Sequence, residues 1–120
     1  MIFLAHWCPH CQREVPLVVK LAKQGKLDGI KVDTVTTSTN SKAPNFPPSA
    51  WLAREKWPFK NILNDDPNQH AMVAYGGTGY PYFVFLDAEG KVVVRESGEL
   101  PSESIVAIAK KVAAGQPAFP

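Results

Sequence analysis

The stretch FLAHWCPHCQREVPLVVKLA, residues 3–22, decides the reading of this chain. The apolar residues Ile2 to Ala5 read as a short buried strand. A helix follows, with Pro9 near its first position, where a missing N–H costs nothing. Val15, Val18, Val19 and Ala22 then recur at i, i+3, i+4 and i+7, which is one helical face. Pro16 lies inside this helix and is expected to kink it, and Gly25 or Gly29 is expected to end it. Cys8 and Cys11 stand at the joint between strand and helix.

Working outward, Ile30 to Thr37 is rich in β-branched residues and reads as a second strand. Ser38 to Ser49 is a loop by composition, and Ala50 to Lys56 a short helix that stops before Pro58. Asn61 to Asn64 reads as a brief strand. Pro67 to Tyr75 reads as a helix opened by Asp66-Pro67 and closed by Gly76-Gly77. Tyr82 to Leu86 is a continuous apolar run suited to a central strand, with Lys91 to Arg95 returning beside it after a turn. The last helix starts near Pro101 and carries Ile105, Ile108, Ala109 and Val112 on one face; Gln116 to Pro120 is a tail. This order predicts one α/β domain spanning residues 1–120, a mixed β-sheet with helices on both faces.

Composition narrows the function. With 120 residues, 45% apolar and 20% charged, the chain has the character of one globular domain. Thirteen Lys+Arg against eleven Asp+Glu leave a net charge of +2 and no long basic run, so neither nucleic acid nor an acidic membrane is an expected partner. No stretch approaches the length of a membrane-spanning helix. The N-terminus shows no targeting signal and begins directly on a core strand. We therefore expect a domain excised from a longer chain, with a signal or anchor upstream.

Both cysteines lie in a single Cys-x-x-Cys, too few for a disulfide scaffold and lacking the second pair of a four-ligand zinc site. What remains is a local dithiol. Exchange chemistry needs an accessible thiolate and a second thiol close enough to displace the bound partner. Cys8, at the helix start, meets the helix N–H groups and the positive end of the dipole. Cys11 continues the buried stripe of Val15 and Val18. Spacing thus makes Cys8 the exposed nucleophile and Cys11 the sheltered resolving thiol. Such a pair needs no cofactor beyond its own redox-active disulfide.

Four neighbours complete the candidate site. His10, between the sulfurs, can stabilise the Cys8 thiolate and make the pair more oxidising, with Pro9 beside it. Trp7 is expected to form an apolar docking surface, and His6 to sit on the rim. His6, Cys8, His10 and Cys11 also admit a reading as metal ligands, with His70 recruited from elsewhere. Their crowding into one strand-to-helix joint speaks against a tetrahedral site, and no metal is expected. Gly76-Gly77-Thr78-Gly79 lacks the residues of a phosphate loop and is expected to allow a close backbone approach to the site.

Phe3 to Cys11, with Glu14-Val15-Pro16 behind it, resembles the thioredoxin superfamily, and within it the TlpA-type redoxins, bacterial thiol-disulfide oxidoreductases. Trp57-Pro58-Phe59 with Ile62-Leu63 is similar to the inserted helix-strand piece of that group. The segment Tyr75 to Pro81 is similar to the one ending in the superfamily's cis-proline, and Phe83 to Asp87, Gly90 and Val92 to the hairpin after it. The resemblance implies a thioredoxin-like sheet of four to five strands, a cis Pro81, and substrate binding by Trp7, Gly79, Tyr80 and Pro81. The Tyr80 backbone would pair with an extended substrate segment. It also implies a monomeric enzyme of the bacterial cell envelope, exchanging disulfides with protein thiols and with a redox partner protein. The Pro9-His10 dipeptide resembles the strongly oxidising DsbA-type pair. Ile2 stands where thioredoxin has a buried Asp, so that base for the Cys11 thiol is missing. A copper chaperone on the same fold, using Cys8, Cys11 and histidines, is the competing reading, although Sco-type proteins carry a longer cysteine spacing. A peroxiredoxin would need a Thr-x-x-Cys, which is absent.

Overall fold

A computed structural model describes residues 1–117. In chain order the elements are β1 (Ile2–Leu4), α1 (Pro9–Lys23), β2 (Thr34–Thr36), α2 (Pro48–Arg54), β3 (Ile62–Asn64), α3 (His70–Ala74), β4 (Tyr82–Leu86), β5 (Val92–Ser97) and α4 (Ser102–Ala113). The sheet order is β3-β2-β1-β4-β5. The β1–β2 and β2–β3 pairs are parallel, whereas β4 runs antiparallel to both β1 and β5. This is the mixed, thioredoxin-like sheet expected from the sequence. Of the expected tail, residues 118–120 lie outside the described residues.

Strand alternation divides the core into two layers. Ile2, Leu4 and Phe83 face α1, together with Trp51 and Leu52 of α2 and Ile105 of α4. Phe3, Val35, Tyr82 and Val84 face the other way, against Met72 of α3. Helices therefore cover both faces. The α1 stripe buries Val15, Val18 and Val19 as expected, but Leu21 is buried where Ala22 is only half so. Pro16 lies on the exposed side of α1 and does not end it. Gly25 ends it, with a left-handed φ of 72° and the Lys26 N–H reaching back to the Leu21 carbonyl.

β5 runs on to Ser97, past the expected Arg95, β1 and β3 each lose one end residue, and three elements differ more, each for a local reason. The second strand is confined to Thr34–Thr36, because the turn at Gly29 and Ile30 carries the chain until it can pair with β1 and β3. The α2 helix starts earlier than expected, with Pro48 as its first residue, and Lys56 at φ 59° closes it. The α3 helix is shorter than expected. Gln69 stands left-handed at φ 58° just before it, and the side chains of Asp65 and Asp66 accept the N–H groups of His70, Ala71 and Met72. Asp66-Pro67 therefore builds a capping turn rather than a first helical turn.

The ring of Phe83 is 1% exposed at the middle of the larger layer, whereas Val73 on α3 is 70% exposed. Phe83→Ala should cost about 3–5 kcal/mol of unfolding free energy in urea titrations, and Val73→Ala should stay within about 0.5 kcal/mol. Equal effects would contradict the placement of the core.

Candidate active site

The dithiol is built by the seat of α1 on β1. Cys8 caps the helix in an extended conformation, with no side chain of its own bonded back to the first turn. Its N–H donates to the Ala5 carbonyl at 3.1 Å and its carbonyl accepts from Gln12 at 3.0 Å. The first turn carries no acidic residue, so the helix N–H groups face the Cys8 sulfur without a competing negative charge on that turn. Cys11 lies one turn on, 0% exposed, with the Ala5 N–H donating to its Sγ at 3.4 Å. Both cysteines are free thiols. Burial pushes the Cys11 thiol up to about 12; the Ala5 N–H pulls it down, and the Cys8 and Glu14 charges push it further up.

Cys8 is less exposed than spacing suggests. The residue is 6% exposed and belongs to the larger core cluster, so the expectation of an open nucleophile is corrected to a buried thiol.

Glu14 was not singled out from the sequence. It is 2% exposed, one turn beyond Cys11, and its carboxylate accepts the Leu100 N–H. Burial raises its pKa above the ordinary carboxylate range; the Leu100 bond opposes this and the Glu99 charge adds to it. The helix itself thus places a buried carboxylate whose charge acts on Cys11. The sequence did carry a signal: Glu14 shares the stripe of Cys11 and Val18, at i+3 and i−4, an apolar position occupied by a charge.

His10 and Arg13 project from the outer side of the same turn. The Glu99 carboxylate, in the loop between β5 and α4, accepts from Arg13 Nε at 3.1 Å and Nη2 at 2.8 Å, and its Oε2 lies 2.7 Å from His10 Nδ1. Arg13 Nη2 is itself 2.8 Å from that nitrogen. A guanidinium only donates and a carboxylate only accepts, so Nδ1 can bond one of them and not both: carrying a hydrogen it donates to Glu99, without one it accepts from Arg13. Arg13 is raised above its ordinary value, first by its Glu99 bond and charge and last by the Cys8 charge, which places a guanidinium at this end of the helix.

The opposite wall comes from residues before β4. The Tyr80–Pro81 bond is cis, as is Phe46–Pro47. The Tyr80 ring meets Trp7 edge-on at 5.9 Å, and Trp7 Nε1–H donates to the Ser38 carbonyl at 2.8 Å. The hydroxyls of Ser38 and Tyr80 are bonded to each other. Pro81 is buried, and neither the N–H nor the carbonyl of Tyr80 has a backbone partner among the described residues. Gly77 packs on Met72 so closely that an added Cβ would fall 2.3 Å from its terminal methyl. Gly79, by contrast, has ordinary room for a Cβ.

The metal-ligand reading loses two of its histidines. His6 is buried at 1% exposure, not on the rim, and both of its ring nitrogens are bonded to the loop after β2. His70 pairs with Asp66 at the start of α3. Among the described residues no three His, Cys, Asp or Glu side chains converge on a point that could hold a metal ion.

Glu99 is held down to about 2 by the Arg13 and His10 bonds, against an ordinary 4.5. Its pairs therefore contribute fully above pH 4.5 and are lost as pH falls toward 2. The melting-temperature difference between wild type and Glu99→Gln should shrink over that interval. A difference that stays constant down to pH 2 would show that the carboxylate is not ion-paired.

The Redoxin family matches residues 1–112. Nucleoredoxin of Danio rerio is 26% identical over 78% of this chain and 22% of its own length. The thiol:disulfide interchange protein DsbE homolog of Paracoccus denitrificans is 27% identical over 84% of this chain and 51% of its own. This chain thus spans about half or less of these curated relatives. Among solved structures, the exposed lipoprotein thioredoxin of Streptococcus pneumoniae superposes with a TM-score of 0.65 at 28% identity, covering 92% of this chain and 81% of that one. No described helix is long and apolar enough to cross a membrane. With the match spanning nearly all of β1 through α4, the chain belongs to the Redoxin family.

Proposed function

We propose that this chain is a single-domain thiol-disulfide oxidoreductase that exchanges the Cys8–Cys11 dithiol with protein substrates and with a redox partner protein. The observation that carries this reading is the asymmetry of the pair. Cys8 caps a helix with no acidic residue in its first turn, while Cys11, one turn on, stays protonated up to about 12.

The Cys8 thiolate attacks a substrate disulfide, forms a mixed disulfide and expels the first substrate thiolate. Cys11 then gives up its proton, attacks the Cys8 sulfur and releases the second thiolate. Two electrons pass to the substrate and the Cys8–Cys11 disulfide remains; the reverse sequence oxidises a substrate dithiol. Glu14 is the proposed acceptor of the Cys11 proton, since its raised pKa suits a group that must bind and release a proton in a buried site. Arg13 supplies positive charge near Cys8, His10 adds an imidazole beside it, and Pro9 fixes the first helical residue.

Trp7, Tyr80 and Pro81 form the proposed substrate wall, and the unpaired main chain of Tyr80 is suited to strand addition by an extended peptide. Gly79 belongs to this wall through its backbone. No further cofactor is required. Similarity to an exposed lipoprotein and to an interchange protein supports a place outside the cytoplasm, in the bacterial envelope. We propose that the domain acts as a monomer.

Cys8→Ser should abolish catalysed reduction of insulin. Cys11→Ser should accumulate mixed disulfides through Cys8. Glu14→Gln should slow release from the mixed disulfide by about a hundredfold or more while sparing the first attack. Stopped-flow traces separate the two steps; slowing of the first step alone would remove Glu14 from the proton path.

A further inference from the structure

His6 is a buried titratable group for which the exchange chemistry has no use. Its ring is 1% exposed. Nδ1 lies 2.7 Å from the Pro44 carbonyl, and Nε2 lies 3.1 Å from the Asn40 N–H. A carbonyl only accepts and a backbone N–H only donates. The two contacts together therefore assign one state: neutral, hydrogen on Nδ1, lone pair on Nε2. A second proton would set Nε2–H against the Asn40 N–H.

These bonds hold the loop of residues 38–47, which links β2 to α2. The same residue fastens the loop twice more. Its carbonyl accepts Asn45 Nδ2 at 3.2 Å, and the Phe46 ring meets the imidazole at 5.8 Å. Gln12 Nε2 of α1 donates to that carbonyl as well, at 3.3 Å. Ser38 and Asn45, near the two ends of the loop, have left-handed φ of 55° and 66°, conformations that the surroundings must enforce.

What the loop carries explains why its hold matters. Ser38 accepts the Trp7 indole N–H and bonds the Tyr80 hydroxyl, so it joins the two aromatic rings of the proposed substrate wall. Tyr80 reaches Gln69 from the same hydroxyl at 3.4 Å. Titratable groups on the surrounding elements are Cys8 at the helix cap, His10, Cys11, Arg13 and Glu14 on α1, Lys42 in the loop, Asp65 and Asp66 facing the loop from beyond β3, and Arg54 on α2, whose Nη2 donates to the Asn45 Oδ1 at 3.1 Å. No carboxylate among the described residues bonds the ring. A proton on Nε2 gains no acceptor there.

We propose that His6 is a positioning residue for protein substrates. Its neutral Nδ1–H form latches the 38–47 loop and so sets Ser38 against Trp7 and Tyr80, and proton uptake by His6 releases that latch. This rests on the exchange reading above and deepens it. Acidification weakens the engagement of protein disulfides through His6, while attack by Cys8 on a small disulfide follows the Cys8 thiolate alone.

The test uses the full chain. Long-range ¹H–¹⁵N spectra of wild type should show the Nδ1–H tautomer. As His6 protonates, the Trp7 indole N–H should shift with the same midpoint. In parallel, KM for insulin and the rate with a small aromatic disulfide are followed against pH in wild type, His6→Gln and His6→Leu. Gln, which donates and accepts without titrating, should keep a low KM with no acid rise. Leu should raise KM about five- to tenfold at all pH values, the size of one or two lost hydrogen bonds, and leave the small-disulfide rate within about twofold. An Nε2–H tautomer, or a Trp7 signal indifferent to His6 protonation, would overturn the proposal, even if His6→Leu fails to fold. So would a KM that rises in acid equally in wild type and His6→Gln. Wild type that reacts with neither disulfide at any pH would defeat the exchange reading instead, with the spectra still deciding the latch.

Discussion

The Ala5 N–H pointing at the Cys11 sulfur marks the constraint on which the site depends. For that contact to exist, α1 must begin within a turn of the end of β1 and lay its Cys11–Val15–Val18 stripe on the sheet. Once it does, Cys11 is sealed from water and Cys8 is left at the helix N-terminus. The burial that stabilises the packing is the same burial that pushes the Cys11 thiol to about 12. Fold and reactivity are not separately arranged here; the asymmetry of the two sulfurs follows from which side of one helix faces the core.

Around that helix, charges sort by depth. Glu14 is buried on the stripe and acts on Cys11, whereas Glu99 is exposed at the loop and acts on His10 and Arg13. Both reach α1 from or toward the segment after β5, since the Leu100 N–H holds Glu14 and its neighbour Glu99 holds the outer cations. The β5–α4 loop thus braces the first turn of α1 on both its inner and outer sides. The loop after β2 braces the opposite side through His6, Trp7 and Ser38. The dithiol is held between two loops, neither of which contributes a reacting atom.

Much of this was legible in the sequence where a period or a cap governs the outcome. The stripes of α1 and α4, the apolar run of β4 and the turn to β5 follow from side-chain spacing and turn chemistry. The errors arise where tertiary partners decide. Residues 30–33 include strand-forming Ile30 and Val32, but the turn before them brings the chain alongside β1 only at Asp33, whose carbonyl accepts the Ile2 N–H, so the strand itself is Thr34–Thr36. Asp66-Pro67 looks like a helix start and is a cap for a later one. The sequence around His6 reads as a rim position, because nothing local predicts that a loop more than thirty residues away will bond both its nitrogens. The burial of Cys8 follows likewise from its place in a core cluster whose members come from distant parts of the chain.

The central claim is that burial divides one dithiol into a reactive and a protected sulfur. Alkylation of the reduced native protein with iodoacetamide, quenched over a range of pH and mapped by mass spectrometry, tests it directly. Cys8 should label first at every pH short of unfolding, and Cys11 should remain unmodified until the solution approaches pH 12 or the protein unfolds. Labelling of Cys11 ahead of Cys8, or of both at the same rate in the folded protein, would contradict the account.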